Sequence, residues 1–419
     1  MKRLKKTKQL ILIFLLGILI YSCSENEQFD TKVENIKVKL TKNFVNLDEV
    51  SSIASAIEYP LSLNSKNASL RAKGVTSISK KIKNITKVPD ENGNTTYYII
   101  NHKDSGFIIL SADNRTNPVL AYSEDSNFTL NPKELTSGLV QWLSDTKDYV
   151  KNIRLENKKQ TKQQAYKWNP NQLQKAISRR PLPPDEDGCK NTYKTVGPLL
   201  KTNWHQRSGF NNYMPEKINC DNLPNNRAYA GCVPIAMAQV MKYHEYPKKY
   251  NWNAMPNNNG SNTTSLFIKD IHHKIKNMYG GGTNPLSYKC DGTGVSSGAN
   301  MAIVLTRDFG FSSATKADYN YDTVVNELNY NRPVILSGSY KSGGWWVFSS
   351  YSGHMWVCDG YRRSMIYSED CTNGWSYLFL HMNWGWGQHS VNGWFAFNNW
   401  NPNNSTYNKK RKMIYNIKP

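Results

Sequence analysis

The spacing of apolar residues changes several times along the chain, and each change marks a boundary. An uninterrupted apolar run, Leu10 to Ile20, follows Lys2, Arg3, Lys5, Lys6 and Lys8. As a helix it would rise only about 17 Å, too short for a bilayer core of about 30 Å, so it reads as a cleavable export signal. From residue 24 to 70 the apolar positions are scattered, with Val45, Leu47, Val50, Ile53 and Ile57 suggesting a helix or two. Tyr97 to Ile100 and Phe107 to Leu110 then flank the polar segment Asn101 to Gly106, which predicts a hairpin, and Val119 to Tyr122 a third strand. Leu139, Trp142, Leu143, Tyr149, Val150 and Ile153 return to helical spacing. After residue 195 a helix is expected from residue 232 to the stop at Pro247. Val334 to Leu336, Met355 to Cys358, Tyr377 to Asn383 and Trp394 to Phe397 are strand candidates.

Between these halves, residues 151 to 180 are rich in Lys, Arg, Gln and Asn, and Pro181 to Gly188 follows as an extended, solvated stretch. Such a segment is where proteolysis is easiest. The expected organisation is a signal over 1–22, a small α+β domain over 23–160, a basic and Pro-rich linker with a cleavage site over 161–194, and a second domain over 195–419. With 419 residues and 39% hydrophobic residues the chain can bury more than one core, which excludes disorder and a small disulfide scaffold. The net charge of +21 is spread along the whole chain, so a nucleic-acid partner is not expected. Ile20-Tyr21-Ser22-Cys23 resembles a bacterial lipobox, with Tyr21 bulkier than usual, and implies lipidation at Cys23. The expected location is therefore outside the cytoplasm, tethered to a membrane by lipid. No later stretch approaches 18 apolar residues.

Six further cysteines remain: Cys189, Cys220, Cys232, Cys290, Cys358 and Cys371. None forms a CxxC pair, so a zinc ribbon and a thioredoxin-type motif are both unsupported. If one is catalytic the other five cannot all pair; two disulfides are permissible and their connectivity stays open. Seven of the eight histidines lie in the second domain. Gly231-Cys232 opens the expected helix, with Pro234 in its first turn. At that position the helix dipole and free N–H groups would lower the thiol pKa toward the reactive range, and Gly231 would admit a close backbone approach. A thiolate needs an imidazole partner. Gly353-His354 opens a strand, from whose edge the ring is expected to project. His381 and Asn383 share one strand face by alternation, and an Asn amide can orient an imidazole. His354 and Asn383 follow Cys232 by 122 and 151 residues. Papain-type enzymes separate these groups by roughly 130–150 residues.

Gly231-Cys232-Val233 running into Ala238 to Pro247, Gly353-His354 with Asp359-Gly360, and Asn383-Trp384-Gly385-Trp386-Gly387 resemble, in that order, the motifs of streptopain-type cysteine peptidases. Leu199 to Gln206 resembles the segment that supplies the oxyanion-hole glutamine, and Tyr97 to Tyr122 the inhibitory propeptide. The resemblance implies an α+β fold. A papain-like catalytic domain, with a helical part and an antiparallel barrel-like part, would follow a small α+β prodomain. It implies an endopeptidase zymogen with Cys232 as nucleophile and His354 as general base, then acid. Gln206 would stabilise the oxyanion, Asn383 and Trp384 would orient and shield the histidine, and Gly353 would line the substrate cleft. Partners would be protein or peptide substrates and the chain's own prodomain, with no cofactor and no metal ligand set. Departures are Met355 and Trp356 after the histidine, Gln388 in place of a glycine, and a longer loop at Lys341 to Tyr351. His205, His381 and His389 are read as structural.

Two other readings compete. Gly294-Val295-Ser296-Ser297-Gly298 matches G-x-S-x-G, but the polar Ser287 to Gly292 before it is no buried strand, as a nucleophile elbow requires. The other is a tethered binding protein on a peptidase scaffold that has lost activity.

Overall fold

The structure, a computed structural model, describes residues 42–419 apart from 61–76, 130–136, 170–172, 175–189, 218, 221–222, 291, 297, 340–352, 369, 388–390 and 397–410. The expected export signal, Cys23, Cys189, the loop at Lys341 to Tyr351, Gln388 and His389 lie outside the described residues.

The first described helix is α1 (Leu47–Ala56). The Asn46 side chain accepts from the N–H groups of Asp48 and Glu49, while Glu49 reaches back to the Asn46 N–H. Strands β1 (Glu58–Pro60) and β2 (Ser77–Ser79) pair with each other, and β3 (Ile82–Pro89), β4 (Thr95–His102), β5 (Phe107–Ser111) and β6 (Val119–Ser123) form an antiparallel series. The expected hairpin is β4–β5, with Ile99 opposite Ile109, and the expected third strand is β6. Tyr97, Ile99, Phe107 and Ile109 face one core, while Tyr98, Ile100, Ile108 and Leu110 face another. Coverage on both faces is why these strands read as unbroken apolar runs. Helix α2 (Ser137–Leu155) is the expected 3.6-period segment, and its Trp142 and Val150 fill the first of those cores.

The linker expected over 161–194 carries folded elements near its ends, while its Pro181 to Gly188 stretch lies outside the described residues. Helix α3 (Lys162–Lys167) is capped reciprocally by Thr161 and Gln164, and Tyr166 stacks on Trp375 at 3.6 Å between ring centroids. Strand β7 (Thr192–Val196) pairs with the central strand described below. Capping and aromatic burial outweigh the solubility of the Lys- and Gln-rich composition here.

In the C-terminal half come helices α4 (Cys232–His244) and α5 (Asn262–Lys276), the hairpin β8 (Leu286–Lys289) and β9 (Gly292–Val295), strand β10 (Ser313–Asp318) and helix α6 (Tyr321–Asn329). They are followed by β11 (Val334–Ser339), β12 (Gly353–Tyr367), β13 (Gly374–Asn383), β14 (Gly393–Phe395) and β15 (Lys412–Lys418). One 11-stranded sheet runs β10-β15-β11-β12-β13-β14-β6-β5-β4-β3, with β7 paired to β12. Its described ladders are all antiparallel. The two halves therefore share a sheet, joined where Trp394 and Phe395 of β14 pair with Tyr122 and Ala121 of β6. Helix α4 lies in a separate core with Phe267, Ile271, Ile335 and Val357. Among the described residues no helix is long and apolar enough to cross a membrane.

Candidate active site

Gly231 stands immediately before α4 at φ +84°, and a Cβ there would come within 2.9 Å of the Thr293 carbonyl oxygen. Only glycine fits so close to β9 in that conformation. The residue before it, Ala230, is held on both sides. Its N–H donates to the Gln206 carbonyl at 2.9 Å, and its carbonyl lies 2.7 Å from His272 Nε2. His272 is buried and its Nδ1 meets the Tyr288 hydroxyl of β8 at 2.9 Å. A disulfide between Cys220 and Cys290 fastens the β8–β9 hairpin from outside, and Cys371 is also disulfide-bonded. Cys232 and Cys358 are free thiols.

Cys232 thus opens α4 with its sulfur facing backbone N–H groups of Met355, Val233 and Cys232 itself. Burial pushes the thiol up, and those N–H groups only partly oppose it. The direction is opposite to the lowering expected from the helix terminus, with desolvation of the thiolate as its largest cause. The Met355 contact also places the sulfur beside the residue that follows His354.

His354 lies on an interior strand, between β11 and β13, and is only 4% exposed. At this position β12 is paired on the β11 side alone, opposite Gly338, since its ladder with β13 begins at Val357; the ring is nonetheless buried instead of standing out from the edge. The ring stacks on Trp356 with centroids 6.1 Å apart, and Nε2 lies 3.2 Å from the Trp384 carbonyl oxygen. Burial pulls the imidazole down to about 4, against the pull of that carbonyl. The Trp384 ring is buried between Trp356 and Phe395, at centroid distances of 5.0 and 5.2 Å.

Asn383 sits next to this contact but the described hydrogen bonds do not join its amide to His354. Its Oδ1 accepts from Gln239 Nε2 at 3.3 Å and from the Gly385 N–H at 3.2 Å, and its Nδ2 donates to the Thr202 carbonyl at 2.9 Å. The acceptor facing the imidazole is a main-chain carbonyl, where the sequence suggested a side-chain amide. Gln206 is buried, one hydrogen bond from Ala230. Gly387, at φ +78°, has His205 so close that a Cβ would lie 2.6 Å from its Cδ2, which lets the Trp-Gly-Trp-Gly loop close over the Gln206 segment. Gly353 is the first residue of β12. His381, read as structural, meets Asp359 Oδ1 at 2.6 Å, and Asp359 Oδ2 accepts from the Leu200 N–H at 3.0 Å.

Contacts thus link Cys232 to Met355, the residue after His354, His354 to the Trp384 carbonyl, Asn383 to Gln239 of α4, and Gln206 to Ala230 just ahead of that helix. Sequence reasoning missed Gln239, His272, Tyr288 and Asn392. A faint signal existed for Gln239, a lone amide in the buried apolar run Val233 to Met241. Ser296 of the G-x-S-x-G match lies just after a two-stranded hairpin with its N–H on the Pro285 carbonyl, not at a strand-to-helix turn. Among the described residues no group of three His, Cys, Asp or Glu is placed to hold a metal.

The halves meet behind Trp384. Arg362 of β12 binds Glu124 Oε1 at 2.6 Å and the Tyr122 hydroxyl at 2.8 Å, both from the N-terminal half, and lies 3.8 Å over Trp394. Trp142 of α2 packs on Phe395 at 5.0 Å, and Phe395 packs on Trp384.

Comparison with known proteins agrees with this arrangement. The family model of the Spi protease inhibitor matches residues 39–150, and that of the Peptidase C10 family matches 204–250 and 248–395. Streptopain of Streptococcus pyogenes is 24% identical over 382 residues, covering 80% of this chain and 82% of that protein. The thiol protease/hemagglutinin PrtT of Porphyromonas gingivalis is 23% identical over 391 residues, 78% of this chain and 38% of that protein. A solved prointerpain A fragment from Prevotella intermedia shares the fold, with a TM-score of 0.52 and 21% identity over 80% of this chain and 99% of the fragment. The chain is a streptopain-type cysteine peptidase with an N-terminal Spi-type propeptide, its residues 204–395 matching the Peptidase C10 model and 39–150 that of the Spi inhibitor.

Proposed function

We propose that the chain is the zymogen of an exported, lipid-anchored cysteine endopeptidase whose nucleophile is Cys232. The observation that carries this reading is the Cys232 sulfur at the start of α4, against the Met355 N–H and so beside His354, whose Nε2 faces the Trp384 carbonyl. That carbonyl accepts only if Nε2 carries the proton, which leaves Nδ1 as the base. His354 takes the thiol proton, and the thiolate attacks the substrate carbonyl carbon. The resulting oxyanion is held by the Cys232 N–H and the Gln206 side chain. His354 then returns the proton to the leaving amine as the C–N bond breaks and a thioester forms. Water, deprotonated by the same imidazole, attacks the thioester to release the acid and restore the thiol. Trp384 shields the histidine, Asn383 orients it, and Gly353 leaves room for the substrate backbone.

Residues 1–22 would direct export and Cys23 would carry the lipid; the basic run and the lipobox-like Ile20 to Cys23 support this. The domains are read as a prodomain over 23–160 and a catalytic domain over 195–419, with activation by cleavage between them. Tyr166 stacked on Trp375 argues for a cut beyond α3, in the Pro-rich stretch. The inhibitory prodomain would hold the precursor through the β6–β14 pairing and the Glu124–Arg362 contact. Its peptidase substrates would be proteins, cut beside hydrophobic side chains.

The test is casein digestion by the processed enzyme in reducing buffer beside Cys232→Ala and His354→Ala. Loss of at least about 10⁴-fold in both variants supports the assignment; full activity in either overturns it.

A further inference from the structure

The Trp384–Gly385 peptide unit has two ends with different partners. Its carbonyl faces His354 Nε2 at 3.2 Å, and its N–H donates to Asn383 Oδ1 at 3.2 Å. A peptide group is planar, so fixing the N–H fixes the direction of the carbonyl. Asn383 Oδ1 is itself held by Gln239 Nε2 at 3.3 Å, and Gln239 Oε1 accepts from the Trp204 N–H at 3.2 Å. Gln239 is fully buried, two turns into the helix that begins with Cys232. All around it that helix is apolar, from Val233 to Met241. An amide in such a place is costly unless both its ends are bonded, and here they are. A second bridge runs parallel: Asn392 Oδ1 accepts from the Trp384 N–H at 2.9 Å, and its Nδ2 reaches Asn203 Oδ1 at 3.4 Å. The Gln206 segment, the nucleophile helix and the Asn383–Gly385 loop are thus tied together by neutral amides.

We propose that Gln239 is a positioning residue. Through Asn383 Oδ1 and the Trp384–Gly385 peptide, it aims the carbonyl that orients the His354 imidazole. It touches neither substrate nor thiol. This rests on the reading that Cys232 and His354 carry the chemistry, and it assigns Asn383 an indirect route to the histidine. An imidazolium loses part of its stabilisation when its carbonyl acceptor swings away, so the histidine should titrate at lower pH.

The experiment uses processed enzyme: wild type, Gln239→Leu, Gln239→Glu, and Cys232→Ala as the inactive control. It records kcat, KM and the acid limb of kcat/KM on a peptide substrate, the pH dependence of iodoacetamide alkylation, and the thermal midpoint. Gln239→Leu should lose about tenfold or more in kcat with KM within about twofold, and its acid limb, where His354 takes up its proton, should move to lower pH. Gln239→Glu, protonated at pH 5, again donates toward Asn383 and should recover most of kcat there, then fall to the leucine level as the carboxyl ionises. An unshifted limb in Gln239→Leu, a loss of thermal midpoint alone, or no recovery in folded Gln239→Glu at pH 5 would overturn the proposal. If Gln239→Leu does not fold, Asn383→Ala removes the same acceptor from the Gly385 N–H and must shift the limb the same way; an unshifted limb there overturns it. An inactive wild type, or an active Cys232→Ala, would instead sink the assignment of Cys232.

Discussion

Two buried clusters, one in each half of the sheet, treat polar groups in opposite ways. Around Asp113 and at the joint they are paired charges. Asp113 binds Arg115 at 2.7 Å and Arg154 at 3.1 Å, all three buried, and Glu124 reaches across to Arg362. Around α4 they are neutral: Gln206, Gln239 and Asn383, with His272 and His354 drawn down to about 4 by burial. Charge pairs fix one geometry and tolerate no proton change, which suits a domain whose task is to be recognised and held. Neutral amides and uncharged imidazoles leave the site free to exchange a proton during reaction. In the full chain, burial keeps both the Cys232 thiol and His354 toward their neutral forms.

The contrast can be strained at several points, the largest effect being at the joint. Glu124→Ala leaves Arg362 buried without its carboxylate, and should cost the precursor about 3–5 kcal/mol in denaturant unfolding; a loss under about 1 kcal/mol would mean the pair is not a structural joint. Next, Gln206→Ala in the processed enzyme should lower kcat by about 10²–10³-fold with a small change in KM, and an unchanged kcat would remove Gln206 from the oxyanion site.

Acid should separate the two kinds of burial. His102, His244, His272 and His354 are each lowered to about 4, in every case by burial first. Between pH 6.5 and 4 the unfolded chain binds protons there that the folded chain does not. Stability therefore rises with pH through this window and falls on acidification, by up to about 1.4 kcal/mol per pH unit for each group. A thermal midpoint that is flat from pH 6.5 to 4.5 would contradict those neutral histidines. The smallest effect belongs at the surface: Asp318→Asn removes an exposed partner of Lys412 and should change stability by no more than about 0.5 kcal/mol.

Much of this was legible in the sequence for physical reasons. The β4–β5 hairpin, α2 and α4 announce themselves because each carries a long apolar period with a matching stop. Cys232 and His354 stood out because glycine, cysteine and a buried helix occur together, at a spacing an active site can use. Strand β3 was missed because it is a sheet edge: Lys83, Asn84 and Lys87 face outward and dilute the alternation. α3 was hidden by a polar composition that Thr161, Tyr166 and Trp168 overcome through caps and burial. The route from Asn383 to His354 was not readable at all. It depends on Gln239, which is 144 residues away in the chain, and on a peptide plane that no side-chain pattern encodes.

The most direct test is a time course of the precursor from Ser24 onward, in reducing buffer, followed by gel and intact mass beside Cys232→Ala. The wild type should cut itself beyond α3, between residues 168 and 190, release a fragment of about 26–29 kDa and then digest casein, while the variant stays whole. Identical, stable precursors that leave casein uncut even after the linker is trimmed with an added protease would contradict the account.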